Sequence, residues 1–130
     1  MASIRAPFTI TARPGDAGTD LDVPVVGVTT FDKLFTDGLI GTSVVQMVSA
    51  LGASGPLAYV ALERVEGSLE GRTGAFVLLH VGSVDEGVPS LELQVVPGSG
   101  TGGLAGITGA GSITHTADGA HLDLDYALPG

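Results

Sequence analysis

The chain has 130 residues, enough for one domain with one hydrophobic core and too few for two. Fourteen acidic residues against five basic ones give a net charge of −9, which argues against binding to nucleic acid or to an anionic membrane surface. The absence of cysteine excludes disulfides, thiolate nucleophiles and cysteine-ligated zinc. No apolar run approaches the roughly 18 residues of a membrane-spanning helix. Because the amino terminus also lacks the apolar core of a signal peptide, we expect a cytoplasmic location.

Short apolar and β-branched runs, separated by glycine and proline, fill the whole chain. This spacing predicts eight strands, at residues 4–12, 25–35, 39–50, 57–67, 73–82, 90–96, 103–116 and 120–128. Turn signals such as Pro14-Gly15 and Asp37-Gly38 lie between them. No segment supplies a helical crossover, so we predict a single all-β domain over residues 1–130 with antiparallel pairing of neighbouring strands. Eight such strands close naturally into a barrel.

One segment is ambiguous between strand and helix. Val44, Met47, Val48 and Leu51 follow helical spacing, and Gly52 suits the end of a helix. The valines and the preceding glycine, threonine and serine favour an extended chain, and a helix here would leave a seven-stranded sheet with an open edge. We therefore predict a strand.

Residues 57–82, with the sequence LAYVALERVEGSLEGRTGAFVLLHVG, form a long predicted β-hairpin. Its turn lies at Glu70-Gly71 with type I′ character or at Gly71-Arg72 with type II′ character. The first register sets Glu63 opposite Leu78, and the second sets Glu63 opposite His80. Both registers place one set of side chains on a common face: Tyr59, Ala61, Glu63, Val65, Phe76, Leu78 and His80.

We predict that this face points into the barrel, because Arg64 and Glu66 on the other face are easier to leave in solvent. The alternative is an outward Tyr59 face with a purely aliphatic interior. The inward choice leaves valines and leucines of the other face exposed, and an exposed apolar patch usually marks association. We therefore expect a homo-oligomer, with a dimer favoured because two-fold symmetry is the commonest.

The last hairpin of the chain has Asp118-Gly119 as its turn signal. The resulting register pairs Thr116 with His121 on the solvent side and places His115 and Tyr126 on the interior side. His115 and Tyr126 therefore join the candidate cavity residues.

Two further patterns favour structural explanations. Residues 98–103 match GxGxxG after a strand, but no helix or βαβ unit follows, so we interpret them as a turn at the barrel rim. The three histidines show no HxH or HExxH spacing, and Asp16, Asp20 and Asp22 lack the spacing of a calcium loop. We predict no metal and no cofactor.

The hairpin sequence above, followed by LELQVVPGSGTGGLAGITG and DGAHLDLDYAL, resembles a bacterial domain-of-unknown-function family over residues 57–128. The earlier FDKLFTDGLIGTS is similar to the pattern of that family ahead of its third strand. The family resembles the allene oxide cyclase barrels in fold, which implies a small, lipocalin-like up-and-down barrel of eight strands that often associates into oligomers. The family has no settled activity. The likeness to cyclase barrels implies a cofactor-free cyclase or isomerase for an apolar, unsaturated metabolite.

The predicted site follows from the inward face. Glu63 beside His80 can share general acid–base work in an apolar pocket, and Tyr59 can donate a hydrogen bond, so we predict these three as catalytic residues. The predicted ligand-binding residues, which would contact a small hydrophobic molecule, are Phe76, Leu78, Leu91, Leu93, His115 and Tyr126. The alternatives are a structural polar pair, a non-catalytic binder of a hydrophobic molecule, and a filled barrel that serves assembly.

Overall fold

The computed structural model describes residues 2–13, 25–52 and 55–129. The predicted turn at Pro14-Gly15 and the acidic residues Asp16, Asp20 and Asp22 lie outside this part of the chain. The strands within it are β1 (Ala2–Ala12), β2 (Val25–Asp37), β3 (Leu39–Gly52), β4 (Gly55–Leu69), β5 (Arg72–Asp85), β6 (Val88–Val95), β7 (Thr101–Gly102), β8 (Thr108–Thr116) and β9 (Gly119–Ala127). No helix in the described part of the chain has the length and apolar character that crossing a membrane requires.

Eight of these strands close into an antiparallel up-and-down barrel. Strands β1 to β6 pair in chain order, β6 pairs with β8, β8 with β9, and β9 returns to β1. The two-residue strand β7 pairs with β5 beside one end of the barrel. The predicted fold is therefore confirmed, and the ambiguous segment before Gly52 is extended, as part of β3.

The β4–β5 hairpin adopts the first of the two predicted registers. Glu70 and Gly71 both have positive φ, at 53° and 76°, as a type I′ turn requires. Glu63 consequently lies opposite Leu78, and His80 lies one inward position further along β5.

Alternation along the strands decides which side chains enter the barrel. Glu63 is fully buried and His80 is 4% exposed, whereas Val60 and Leu62 on the other face of β4 are each 50% exposed. The predicted inward orientation is therefore the observed one. The outward aliphatic side chains of β2 to β5 form what we term the outer aliphatic wall, consisting of Val26, Val28, Val48, Val60, Leu62 and Val81.

The predicted strand over residues 103–116 is wrong in its first part, since β8 begins at Thr108. Residues 103–106 form turns, held by backbone hydrogen bonds of 3.1–3.2 Å between residues three apart. Gly102 and Gly106 have positive φ (61° and 81°), which glycine adopts at little cost. The glycines therefore fold the chain back across one end of the barrel instead of bending a long strand.

The last hairpin keeps the predicted faces but has a different register. Thr116 lies opposite Gly119, a shift of two residues from its predicted partner. The Thr116 hydroxyl accepts a hydrogen bond from the Asp118 N–H at 3.2 Å and donates one to the Gly119 carbonyl at 2.9 Å, so the turn falls one residue earlier than predicted. Because an even shift leaves every side chain on its own face, His115 and Tyr126 remain on the inward side.

The two ends of the barrel differ. Residues 103–107, between β7 and β8, form what we term the turn segment. At the end of the barrel that holds the β4–β5 turn, Leu104 and Ile107 of this segment are fully buried and complete the core; we term this the closed end. The core there also includes Phe35, Leu39, Val65, Leu69, Phe76, Leu78, Leu124 and Tyr126. At the opposite end, where β5 leads into β6, the interior holds a cavity, and we term this the open end.

Candidate functional site

A cavity of about 510 Å³ occupies the open end. Buried His80 and exposed His115 both line it, so it extends from the interior to solvent. Its volume lies within the range of about 300–1,000 Å³ that is usual for small-molecule pockets. Most of its wall is apolar and includes Phe8, Phe31, Val45, Met47, Leu91 and Ile113.

Four buried polar side chains meet where the cavity ends, and we term them the polar floor: Lys33, Ser43, Glu63 and His80. Glu63 is at their centre. Its Oε1 accepts hydrogen bonds from Lys33 Nζ at 3.1 Å and from His80 Nε2 at 2.8 Å. Its Oε2 accepts a hydrogen bond from Ser43 Oγ at 2.5 Å. Lys33 and His80 line the cavity, whereas Glu63 lies behind them.

Strand parity explains why these four residues meet. Lys33 in β2 lies directly opposite Ser43 in β3. Ser43 and Glu63 occupy diagonal inward positions on β3 and β4, as do Glu63 and His80 on β4 and β5. Diagonal neighbours in a sheet lie within reach of long side chains, so the polar floor spans four consecutive strands.

The surroundings of Glu63 keep it ionised. Burial by itself raises the pKa of this carboxyl group, but the hydrogen bond from His80, the charge of Lys33 and the hydrogen bond from Ser43 outweigh it and hold the pKa below its ordinary value of 4.5. A carboxylate only accepts hydrogen bonds, so Nε2 of His80 carries a proton and, in the neutral ring, Nδ1 is the unprotonated acceptor. In the described ranges, no group forms a hydrogen bond with Nδ1.

Lys33 is the only lysine in the sequence, and its charge is held in place from two sides. Besides the hydrogen bond to Glu63, Nζ lies 4.1 Å from the centroid of the Phe8 ring, a cation–π contact. The Phe8 ring packs in turn on Phe35, with centroids 5.5 Å apart. Lys33 is thus a fixed hydrogen-bond donor at the cavity surface.

Tyr59 lines the cavity nearer its mouth and is half-buried. Its ring packs against Gly82, which lies directly opposite on β5, and a Cβ atom at Gly82 would come within 2.2 Å of the ring. The glycine therefore permits the observed position of the ring. Burial raises the pKa of Tyr59, so its hydroxyl stays protonated at neutral pH and can donate a hydrogen bond.

Comparison with known proteins identifies the family. Residues 4–126 match the profile of a family described as protein of unknown function, DUF3224. The chain belongs to the DUF3224 family. A crystal structure of a DUF3224 protein of unknown function from Shewanella oneidensis MR-1 is similar, with 30% sequence identity and a TM-score of 0.85, covering 100% of this chain and 98% of that chain. No curated protein matches the chain. The expected family and barrel fold are confirmed.

The structure divides the nine predicted site residues into three groups. Four of them line the cavity: Tyr59, His80, Leu91 and His115. Glu63 contacts His80 from behind the cavity surface. The others pack in the core and lie outside the cavity lining: Phe76, Leu78, Leu93 and Tyr126.

Sequence reasoning missed Lys33 and Ser43. A signal was present, because Lys33 lies between Phe31 and Phe35 at the period of two that places three side chains on one face of a strand. Pairing β2 with β3 about a tight turn at Gly38 then sets Lys33 opposite Ser43. The lone lysine of the chain was therefore a recognisable candidate.

The closed end contains one unusual polar group. The Tyr126 hydroxyl is buried and makes no hydrogen bond of good geometry with the described residues, although Glu70 lies close to it. Burial is the main reason why the pKa of Tyr126 is raised to about 12, and the nearby Glu70 raises it further in the same direction.

No three histidine, aspartate or glutamate side chains of residues 2–13, 25–52 and 55–129 come together as metal ligands would.

Proposed function

We propose that this barrel binds a small, largely apolar molecule with an oxygen function and isomerises or cyclises it without a cofactor. The observation that carries the proposal is the polar floor beneath an apolar cavity of about 510 Å³. The apolar walls would hold the hydrocarbon part of the ligand, while Lys33, His80 and Tyr59 offer polar groups at fixed points. A largely apolar pocket with a few convergent polar groups is typical of small-molecule sites.

In the proposed reaction, Nδ1 of His80 removes a proton from the carbon next to a carbonyl group of the bound molecule. Lys33 Nζ or the Tyr59 hydroxyl donates a hydrogen bond to the carbonyl oxygen, where negative charge develops. Return of the proton to a different carbon moves the double bond, with no net gain or loss of atoms or electrons. In a cyclisation, the walls would fold the substrate so that the deprotonated carbon adds to a second double bond of the same molecule, whose far carbon receives the proton back from His80.

Glu63 acts in this proposal as a positioning residue, because it touches His80 and Lys33 instead of the cavity. Its carboxylate holds the proton of His80 on Nε2, which leaves Nδ1 as the base. It also stabilises the imidazolium that forms when Nδ1 takes up a proton.

The catalytic part can be tested with a ten-carbon β,γ-unsaturated methyl ketone, whose conjugated isomer absorbs in the ultraviolet. We expect wild-type protein to accelerate this isomerisation. His80→Gln retains a donor toward Glu63 but lacks a base, so the rate should fall at least about 100-fold. His121→Gln, outside the cavity, is the matched control and should retain the wild-type rate. Equal rates in wild type and His80→Gln would rule out this mechanism.

The binding part can be tested separately with a neutral, environment-sensitive dye. Ala61 is buried and lines the cavity, so Ala61→Phe should fill part of the space and weaken dye binding about tenfold or more. Thr42→Phe on the exposed face of β3 is the control and should bind as wild type does. Dye binding that depends on Ala61, without isomerisation of the ketone, would favour a non-catalytic binder.

A second proposal concerns the outer aliphatic wall, which we propose packs against a second copy of the chain. Val28, Val48, Val60 and Val81 lie in register across β2 to β5 and form an uncharged exposed row. The chain carries a net charge of −9, so an uncharged face is where two copies can approach with the least repulsion. Sedimentation should show a dimer that Val60→Glu dissociates and Thr9→Glu on β1 does not. A monomeric wild type at micromolar concentration would refute the proposal.

We also propose that the protein is located in the cytoplasm, which cell fractionation would test.

A further inference from the structure

The charges of the polar floor are balanced before any ligand enters. Lys33 Nζ lies 3.1 Å from Glu63 Oε1, and the side chains of both residues are almost completely buried, at 4% and 0% exposure. The face of the Phe8 ring lies against the same ammonium group. Since Glu63 is ionised, one positive and one negative charge cancel within the floor. With His80 in its neutral form, the floor carries no net charge.

The rest of the cavity lining adds no counter-charge for an ion. Of the described residues that line the cavity, Lys33 is the one with a fixed charge, and no aspartate, glutamate or arginine accompanies it. A carboxylate entering the cavity would leave its hydration shell and face a cation whose charge Glu63 already neutralises. The buried group would then carry an uncompensated negative charge, which is costly in a medium of low polarity. An ammonium ligand meets the same problem with the opposite sign, because it would add an uncompensated positive charge to a neutral buried group and would face Lys33, while Glu63 lies behind the cavity surface.

An uncharged oxygen function suits the floor better. A carbonyl or hydroxyl oxygen can accept a hydrogen bond from Lys33 or Tyr59 without changing the net charge of the buried group. A hydroxyl can in addition donate to Nδ1 of His80. The net charge of −9 on the whole chain disfavours the approach of anions as well.

We infer that the cavity selects uncharged ligands, apolar molecules with a carbonyl or hydroxyl group, and rejects carboxylates and amines of the same length. The inference rests on the proposed function, since it requires that the cavity bind a small molecule. It assigns Glu63 a role in ligand selectivity. As the counter-ion of Lys33, Glu63 lets Lys33 donate a hydrogen bond to the ligand without giving the site a net positive charge.

The test uses three probes of equal chain length, 2-decanone, decanoate and decylammonium, with wild-type protein at pH 8. Displacement of the neutral dye gives the three affinities. We expect 2-decanone to bind at least about tenfold more tightly than either ion. Decanoate binding as tightly as the ketone, or decylammonium doing so, would overturn the inference while leaving the binding function intact. Failure of all three probes to bind folded protein would overturn both.

A variant separates selection by charge from the general preference of apolar pockets for neutral molecules. Glu63→Gln keeps the shape of the side chain but removes the counter-charge, so decanoate affinity should rise at least about tenfold while 2-decanone affinity changes less than about threefold. Glu66→Gln removes the same charge from the exposed outer face of the same strand, and it should leave the ratio of the two affinities as in wild type. An unchanged ratio in folded Glu63→Gln would contradict the inference. Should that variant fail to fold, the comparison of the three probes on wild type decides it.

Discussion

The two ends of the barrel are built by the same strands but have opposite characters. At the closed end, Phe76 and Leu78 of β5 are fully buried among other apolar side chains, and the turn segment covers them. Two residues further along the same face of β5, His80 belongs to the polar floor and faces an open cavity. A single step of the strand period therefore separates side chains that fill the barrel from side chains that can meet a ligand.

This contrast indicates that the two ends of the barrel have different roles. Close packing at the closed end supplies stability, because burial of large apolar side chains is the dominant favourable contribution to folding. The open end leaves space, and its buried charges are held by one another. We therefore expect substitutions at the two ends to separate stability from binding.

The largest effect on stability should come from substitution of Glu63, which lies between the core of the closed end and the cavity of the open end. Glu63→Ala leaves the buried Lys33 without its partner, and we expect a loss of about 3–5 kcal/mol in the free energy of unfolding, measured in urea. Glu66→Ala on the outer face of the same strand removes an exposed pair with Arg64 and should cost less than about 1 kcal/mol. Similar losses in the two variants would show that the polar floor does not act as a buried charge cluster.

The same carboxylate should make stability depend on pH. The pKa of Glu63 is lower in the folded chain than the ordinary 4.5, so its ionised form stabilises the fold fully above that pH, and this contribution is lost as the pH falls through the folded pKa. The difference in unfolding free energy between wild type and Glu63→Gln should therefore shrink when the pH is lowered from 7 to 3. Contributions from exposed carboxylates such as Asp32 and Asp123 occur in both proteins and cancel. A difference that stays constant with pH would contradict the assigned pKa direction.

A matched pair of leucines compares the ends directly. Leu78→Ala at the fully buried position should cost about 2–5 kcal/mol, whereas Leu91→Ala in the half-buried cavity wall should cost clearly less. Dye affinity should respond in the reverse order, since Leu91 lines the cavity and Leu78 does not. Urea unfolding and dye titration on both variants check this, and equal stability losses would remove the distinction between the ends.

A smaller loss of stability is expected at the open end from substitution of Gly82, against which the Tyr59 ring packs. Gly82→Ala introduces a Cβ atom into the space of the Tyr59 ring, and we expect a loss of about 1–3 kcal/mol. The double variant Gly82→Ala with Tyr59→Ala should lose less than the sum of the single variants. In a Tyr126→Phe background, Tyr59 is the remaining tyrosine of a chain without tryptophan, so its fluorescence reports the displacement. Strict additivity with unchanged fluorescence would show that the ring does not depend on the glycine.

The smallest effect is expected at the closed end, from the buried hydroxyl of Tyr126. Tyr126→Phe removes a polar atom that has no hydrogen bond of good geometry in the described residues, so stability should stay the same or rise by up to about 1 kcal/mol. A thermal unfolding comparison with wild type checks this. A loss of more than about 1 kcal/mol would show that the hydroxyl has a partner in solution, for which Glu70 is the nearest candidate.

Much of the fold could be predicted because β periodicity and turn chemistry are local. Either of the two turns that the sequence allows, at Glu70-Gly71 or at Gly71-Arg72, places Glu63 and His80 on one face, and the structure has the first, with a type I′ conformation. The prediction failed at residues 103–106, where repeated glycines are compatible with either a bent strand or successive turns. It also misplaced the register of the last hairpin, because the side chain of Thr116 competes for the turn.

The candidate site could be predicted only in part. Inward parity selected Tyr59 and His80, but the same parity selected Phe76 and Leu78, which pack in the core. Parity assigns a side chain to the inside of the barrel without saying how far along the axis it lies. Depth depends on the tilt and stagger of all eight strands together.

The amino-acid sequence by itself determined an eight-stranded antiparallel barrel and which side chains share a face, since both follow from a period of two and from turns between neighbouring strands. The inward orientation of the face that holds Glu63 and His80 was an expectation, which burial in the structure bears out. Only the tertiary structure decided that the turn segment covers one end and that the other end stays open. It alone brought Lys33 and Ser43 to Glu63 from strands up to 30 residues away in sequence. Hydrogen bonds and charge pairing act over a few ångströms in space, so the polar floor exists only once four strands are in register.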